Sequence, residues 1–137
     1  MSAHELALQK ALIAHLSEDV AVRALLGDPA RIWDAVPHEA ELPHLLIGRC
    51  ESRPVGADGG GVEHRLTLTV VSRFRGTEEA KAVLAAVRFR LTDARVEADG
   101  VRAVSLGVVF ADVFPAADGA RTYAVLRVRA VTEEVEP

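Results

Sequence analysis

The chain has 137 residues, 50% of them hydrophobic, which is enough for one compact domain with a single core and too little for two. Its formal net charge is −4, from 20 acidic and 16 basic residues, so it lacks the positive field of a protein that grips nucleic acid through phosphates. A single cysteine, Cys50, excludes an internal disulfide, has no spaced Cys or His partners that would suggest zinc, and suits folding in a reducing cytoplasm.

The first predicted element is a helix, because Leu8, Ala11, Leu12 and Leu16 recur at helical spacing. Ser2 and Glu5 match the capping-box pattern at its start. A second, short helix begins at Ser17, with Glu18 and Asp19 favoured in its first turn by the helix dipole, and stops at Gly27 before Asp28 and Pro29. Short strands are expected over 31–34 and 44–48, joined through the proline-containing segment 36–43. The stretch 49–62 holds Pro54, Gly56, Gly59, Gly60 and Gly61 without apolar periodicity, and reads as a flexible, exposed loop.

His64, Leu66, Leu68 and Val70 alternate with Arg65, Thr67, Thr69 and Val71, the period-two signature of a strand with one buried face. After Gly76 and Thr77 the spacing changes to that of a helix, with Ala80, Val83, Leu84, Val87 and Leu91 on one stripe. Val104, Leu106, Val108 and Phe110 are expected on one face of a further strand. A turn over 115–120 containing Asp118-Gly119 leads to a last strand that buries Ala124, Leu126, Val128 and Ala130. Strands and helices are grouped more than alternated, so the fold class is α+β. The expectation is an antiparallel or mixed β-sheet of about four to five strands with two main helices packed on one face. All of residues 1–137 fall in one domain, with 49–62 as a loop within it.

No catalytic constellation emerges from the residue types and spacings. The five histidines show no HExxH or HxH pattern, and their spread suits structural or solvent-exposed roles over metal ligation. Cys50 stands beside Arg49, a neighbour that favours a thiolate, although a half-buried small hydrophobe is the simpler reading. Gly59, Gly60 and Gly61 lack the GK[ST] ending of a phosphate loop and lead into a strand. Trp33 is read as a core or staple residue over a binding hot spot. No apolar run approaches the about 20 residues of a membrane span, so no membrane partner is expected. No cofactor and no catalytic residue is assigned, and the chain is read as a structural protein and not an enzyme. Arg73 and Arg75 flank Phe74, while Arg127 and Arg129 share the face opposite Leu126 and Val128. A basic sheet face of this kind serves equally as a solvated surface or a protein interface.

Several segments in order resemble the phage tail-completion or tail-terminator proteins. They are Glu5-Leu6-Ala7-Leu8-Gln9-Lys10-Ala11, then Ile32-Trp33-Asp34 with Val36-Pro37, and above all the run from Glu63 to Gly76. The helix from Glu79 to Leu91 and the closing Leu126-Arg127-Val128-Arg129-Ala130 continue the likeness, with Val71 and Phe74 as departures where other aromatics are common. The resemblance implies a homo-oligomeric, hexameric ring that sits on the tail tube protein, stops its polymerisation and offers a surface to a head-side connector or stopper protein. DNA would pass through its channel without specific binding, and the particle could be a phage, a prophage product or a gene transfer agent. Glu51, Arg53, Asp58, Arg73, Phe74, Arg75, Arg127 and Arg129 are the expected interface residues. A small-molecule-binding or catalytic α+β domain and another neck component, such as a head-closure protein, remain open as alternatives.

Overall fold

A computed structural model describes residues 2–58 and 60–135. Helices α1 (His4–Ser17) and α2 (Val20–Leu26) open the chain, followed by strands β1 (Ile32–Trp33), β2 (His44–Val55) and β3 (Gly61–Ser72). Helix α3 (Glu78–Leu91) and strands β4 (Glu97–Ala98), β5 (Val101–Pro115) and β6 (Thr122–Glu134) complete it. The class is α+β, as expected, and the mixed sheet has six strands in the order β1-β2-β3-β6-β5-β4. The sixth, β4, pairs only Glu97 with Arg102 and Ala98 with Val101, a ladder too short to leave any periodicity in the sequence.

The helices lie against one face of the sheet, where their apolar stripes meet those of the strands. Leu8, Leu12 and Leu16 of α1, and Val83, Val87 and Leu91 of α3, are buried in one cluster with Leu66, Leu68 and Val70 of β3 and Leu126 and Val128 of β6. Arg90 on α3 ties the two long helices together by donating to the His15 carbonyl at 3.0 Å. At that burial, each leucine or valine contributes about 1.5 to 3 kcal/mol of transfer free energy, which offsets the ordering of the backbone that carries it.

The caps differ from the sequence reading. Ala3 occupies the N-cap of α1 without a side-chain bond, because Glu5 instead accepts a 2.6 Å hydrogen bond from the Ser52 hydroxyl on β2. Helix α2 starts later than Ser17, and Asp19 is its cap, accepting from the Val22 N–H at 3.0 Å. Gly27 ends α2 at φ 93°, a conformation that only glycine adopts without strain.

Most of the stretch 49–62 is not a loop. β2 runs on to Val55 and pairs with β3 from Cys50 opposite Leu66 to Val55 opposite Gly61, so a hairpin replaces the expected flexible segment. The backbone ladder holds this part of β2, while its side chains from Gly48 to Pro54 are exposed on both faces. A strand without a buried face carries no alternation, which is why composition misread it.

On β5 the simple alternation also fails. Register shifts at Val104 and Val109 place Leu106 opposite Ala130 and Val108 opposite Val128 on the helix side, but Phe110 opposite Arg127 on the other face. Each bulge inserts one residue, and one residue reverses the side to which every following side chain points. Ala111 and Val113 therefore take over the inward positions that a regular strand would have given to Phe110 and Asp112.

Candidate assembly surface

The face of the sheet turned away from the helices carries most of the polar residues of interest. It is built by the outward positions of β3 (Glu63, Arg65, Thr67, Thr69, Val71) and β6 (Tyr123, Val125, Arg127, Arg129), extended by β2 and by β5 beyond its second bulge. No helix packs on it among the described residues.

At its centre is Glu63, only 5% exposed although it lies on the open face. Arg129 reaches across from β6 and donates two hydrogen bonds to one carboxylate oxygen, at 2.6 and 3.0 Å. Arg53, directly opposite on β2, donates to the other oxygen at 3.0 Å, and Arg65 adds a contact at 3.6 Å. The Arg129 bonds hold the Glu63 carboxyl below the usual carboxylate range; desolvation opposes them, and the Arg53 bond and the charges of both guanidinium groups add to the lowering. The guanidinium groups shield the acid while their own stems stay exposed, so three cations are held in a fixed arrangement around one anion.

Farther along the same face, the Arg127 guanidinium lies 5.2 Å from the centre of the Phe110 ring, and Phe114 meets Tyr123 edge-on at 5.8 Å. The face thus grades from an ion cluster near the β2–β3 hairpin to an aromatic patch near the β5–β6 turn. Trp33, read from sequence as a core or staple residue, is half-buried with its ring 5.4 Å from that of His44.

Of the eight expected interface residues, Arg53 and Arg129 converge on Glu63, and Arg127 lies on the same face. Glu51 is also there, within 3.5 Å of Arg49. The others are elsewhere. Asp58 sits at the hairpin tip and accepts from the Gly60 N–H at 2.9 Å. Arg73, Phe74 and Arg75 occupy the connection from β3 to α3, where Glu79 grips Arg73 at 2.9 Å and Arg73 in turn covers the Phe74 ring at 4.9 Å. The Arg75 carbonyl accepts from the Thr122 hydroxyl at 2.8 Å. Sequence reasoning missed Glu63, Arg65, Phe110, Phe114 and Tyr123. The parity of Glu63 and Arg65 with the outward residues of β3 was available as a signal, whereas Phe110 was hidden by the bulge.

A second polar cluster lies beneath the hairpin on the helix side. His64 is fully buried, with Nε2 2.8 Å from the Thr132 hydroxyl, which is also 2.8 Å from Nδ1 of His4. Burial pushes the His64 pKa down, because the hydration that a charged imidazole loses outweighs the attraction of the Glu5 carboxylate. Cys50 is exposed near this end, and partial desolvation together with the Glu5 carboxylate raises its pKa, the opposite of an activated thiolate. Among the described residues no group of three or more His, Cys, Asp or Glu is placed to hold a metal ion. No helix is long and apolar enough to cross a membrane.

The family description Tail completion protein gp17 matches residues 10–133. A solved chain from the virion of a native gene transfer agent (GTA) particle superposes with a TM-score of 0.83 and 28% identity, covering 97% of this chain and 99% of that one. No curated protein sequence matches.

Proposed function

Because the chain belongs to the Tail completion protein gp17 family and so takes part in completing a phage-like tail, we propose that it is the terminator: a ring on the head-proximal end of the tail tube. The ring stops tube polymerisation and presents the joining surface for a head-side connector. The observation that carries this reading is the near-complete, two-way coverage between this fold and a chain that is part of a GTA virion. A fold shared over 97% of one chain and 99% of the other is most simply used in the same kind of particle.

The physical features of the chain suit such a role. Repeated subunits of net charge −4 around a channel repel DNA and so let it pass. The open sheet face, with Arg127 and Arg129 sharing it with exposed Phe110 and half-buried Phe114 and Tyr123, offers the mixture of planar cations and rings that protein contacts favour. We assign Arg73, Phe74 and Arg75, at the opposite end of β3 from the hairpin, to a contact with a neighbouring tail component, and Glu51, Arg53 and Asp58 to contacts between subunits or with the channel. The subunit is a structural part of the particle, without turnover of its own.

Electron microscopy of particles made without this chain tests the proposal. Tails of uncontrolled length, separate from filled heads, are expected. Tails of normal length that join heads would overturn it, and normal free tails beside DNA-leaking heads would move the chain to head closure.

A further inference from the structure

The sheet has two free edges, and they belong together. On the outer side of β2, Leu45 donates to the Arg31 carbonyl at 2.9 Å, and β1 pairs no farther than Leu46. On the outer side of β5, Ala103 donates to the Val96 carbonyl at 2.9 Å and the Leu106 carbonyl accepts from Asp93 at 3.1 Å. Beyond these points no strand covers either edge among the described residues. The alternation of a ladder then turns the backbone groups of Cys50, Ser52 and Pro54 on β2, and of Val108, Ala111, Val113 and Pro115 on β5, toward the open side. Both strand prolines fall in this phase, where a missing N–H breaks no internal bond.

A long open edge invites pairing, and soluble proteins blunt it with lysines, inward charges or a covering element. From Gly107 to Phe114, β5 has neither a lysine nor a proline, and it exposes Val109 at 64% and Phe110 at 48%. That is the composition of an edge that is covered in use.

We infer that β5 of one subunit pairs antiparallel with β2 of the next, so that the sheet continues around the ring. This deepens the terminator reading and rests on it. Three observations select a second copy as the occupant. The strands β2, β3, β6 and β5 are successively antiparallel, so β2 and β5 run in opposite directions and their apposition continues the pattern. A foreign strand would satisfy one edge and leave the other open, whereas a head-to-tail contact between copies satisfies both. The charges also match: Asp112 on β5 is exposed without an ion pair among the described residues, and Arg49 beside the β2 edge has a side chain 77% exposed, its guanidinium 3.5 Å from Glu51.

The two edges are staggered. Free β2 from Cys50 to Val55 is level with Gly61–Leu66 of β3, while free β5 from Gly107 to Pro115 is level, through β6, with Arg65–Ser72. Joining them shifts each copy along the strand direction, and a closed sheet needs such a shift because its strands tilt against the axis.

The native Cys50 lies on the β2 edge and provides the probe. Full-length variants Ala111→Cys and Val113→Cys, each as the only copy in assembled particles, are oxidised mildly and separated without reductant. A disulfide closes only if the Cα atoms come within about 7 Å. Reducible ladders above the dimer are expected from at least one variant, and their loss on adding Cys50→Ser. Dimers that persist with Cys50→Ser would mean β5 pairs with β5 and would overturn the inference. The absence of any crosslink in particles that contain the ring would do the same. Absence of the ring itself in micrographs would remove the terminator reading, and this inference with it. Val113→Pro gives a second readout: it removes an outward donor while leaving the β6 ladder intact. The subunit should remain folded by circular dichroism yet fail to cap tails, whereas Val113→Thr should cap them. Normal capping by the proline variant would also overturn the inference.

Discussion

Glu63 illustrates how one residue sets the character of a surface. Three arginines within 3.6 Å would repel one another if the acid between them were neutral. Glu63→Gln keeps the shape and loses the charge, so the urea midpoint at neutral pH should fall, with Arg53 and Arg129 becoming mobile. Since folding lowers the Glu63 pKa, its contribution is present above the ordinary value of 4.5 and is lost as pH falls through the folded value. The gap between wild type and variant should therefore narrow as the pH falls below 4.5; a gap that does not change with pH would assign the effect to packing instead. His64 works at higher pH. Its folded pKa is also lowered, here by burial, so the unfolded chain takes up a proton first and stability should decline as pH falls below 6.5. The groups beside it are Thr132 on β6 and His4 and Glu5 on α1, with Glu5 opposing the shift and His4 reinforcing it. His64→Asn should flatten the decline between about pH 7 and 5 without removing it, since His44 is likewise shifted down by burial. An identical slope in the variant would place the proton uptake elsewhere.

At the scale of elements, the second bulge of β5 decides which side chains face the helices. Removing Val109 would delete the inserted residue, so that Val108 and Phe110 meet Val128 and Arg127 in a regular ladder and Phe110, Asp112 and Phe114 keep the outward side. The deletion should therefore cost less than about 1 kcal/mol in denaturant unfolding. A loss of about 3 kcal/mol or more would show that the strand slips by one residue instead and turns Asp112 inward as an uncompensated carboxylate. The β2–β3 hairpin presents the complementary case. Its β2 strand beyond Ile47 has no buried face and is held by backbone pairing, by the Arg53–Glu63 bond across the strands and by the Ser52–Glu5 bond to α1.

For the molecule as a whole, the unequal cover of the sheet predicts unequal protection. β3 and β6 are paired on both sides and their inward residues are buried, so their amides should exchange only through global unfolding. The outward amides of β5 from Gly107 to Phe114 should exchange rapidly in the free subunit and slowly in assembled particles. Fast exchange there in both states would argue that the edge stays open in the ring.

The sequence by itself determined the class, the three helical segments and the central strands, because each of these buries one face and a buried face imposes a period. Leu66, Leu68 and Val70 against Arg65, Thr67 and Thr69, and the α3 stripe from Ala80 to Leu91, were legible for that reason. The order of segments from Glu5 to Ala130 also carried the family. What only the tertiary structure decided lies where no single face is buried. The exposed half of β2 and the two-residue β4 owe their form to a neighbouring strand's hydrogen bonds, which have no residue code. The bulges of β5 moved Phe110 beside Arg127, and the pairing of β3 with β2 and β6 gathered Arg53 and Arg129, 76 positions apart, onto Glu63. Local sequence fixes how a side chain alternates along its own strand, but a site made from three strands depends on their register, and register is set by the packing of the whole sheet.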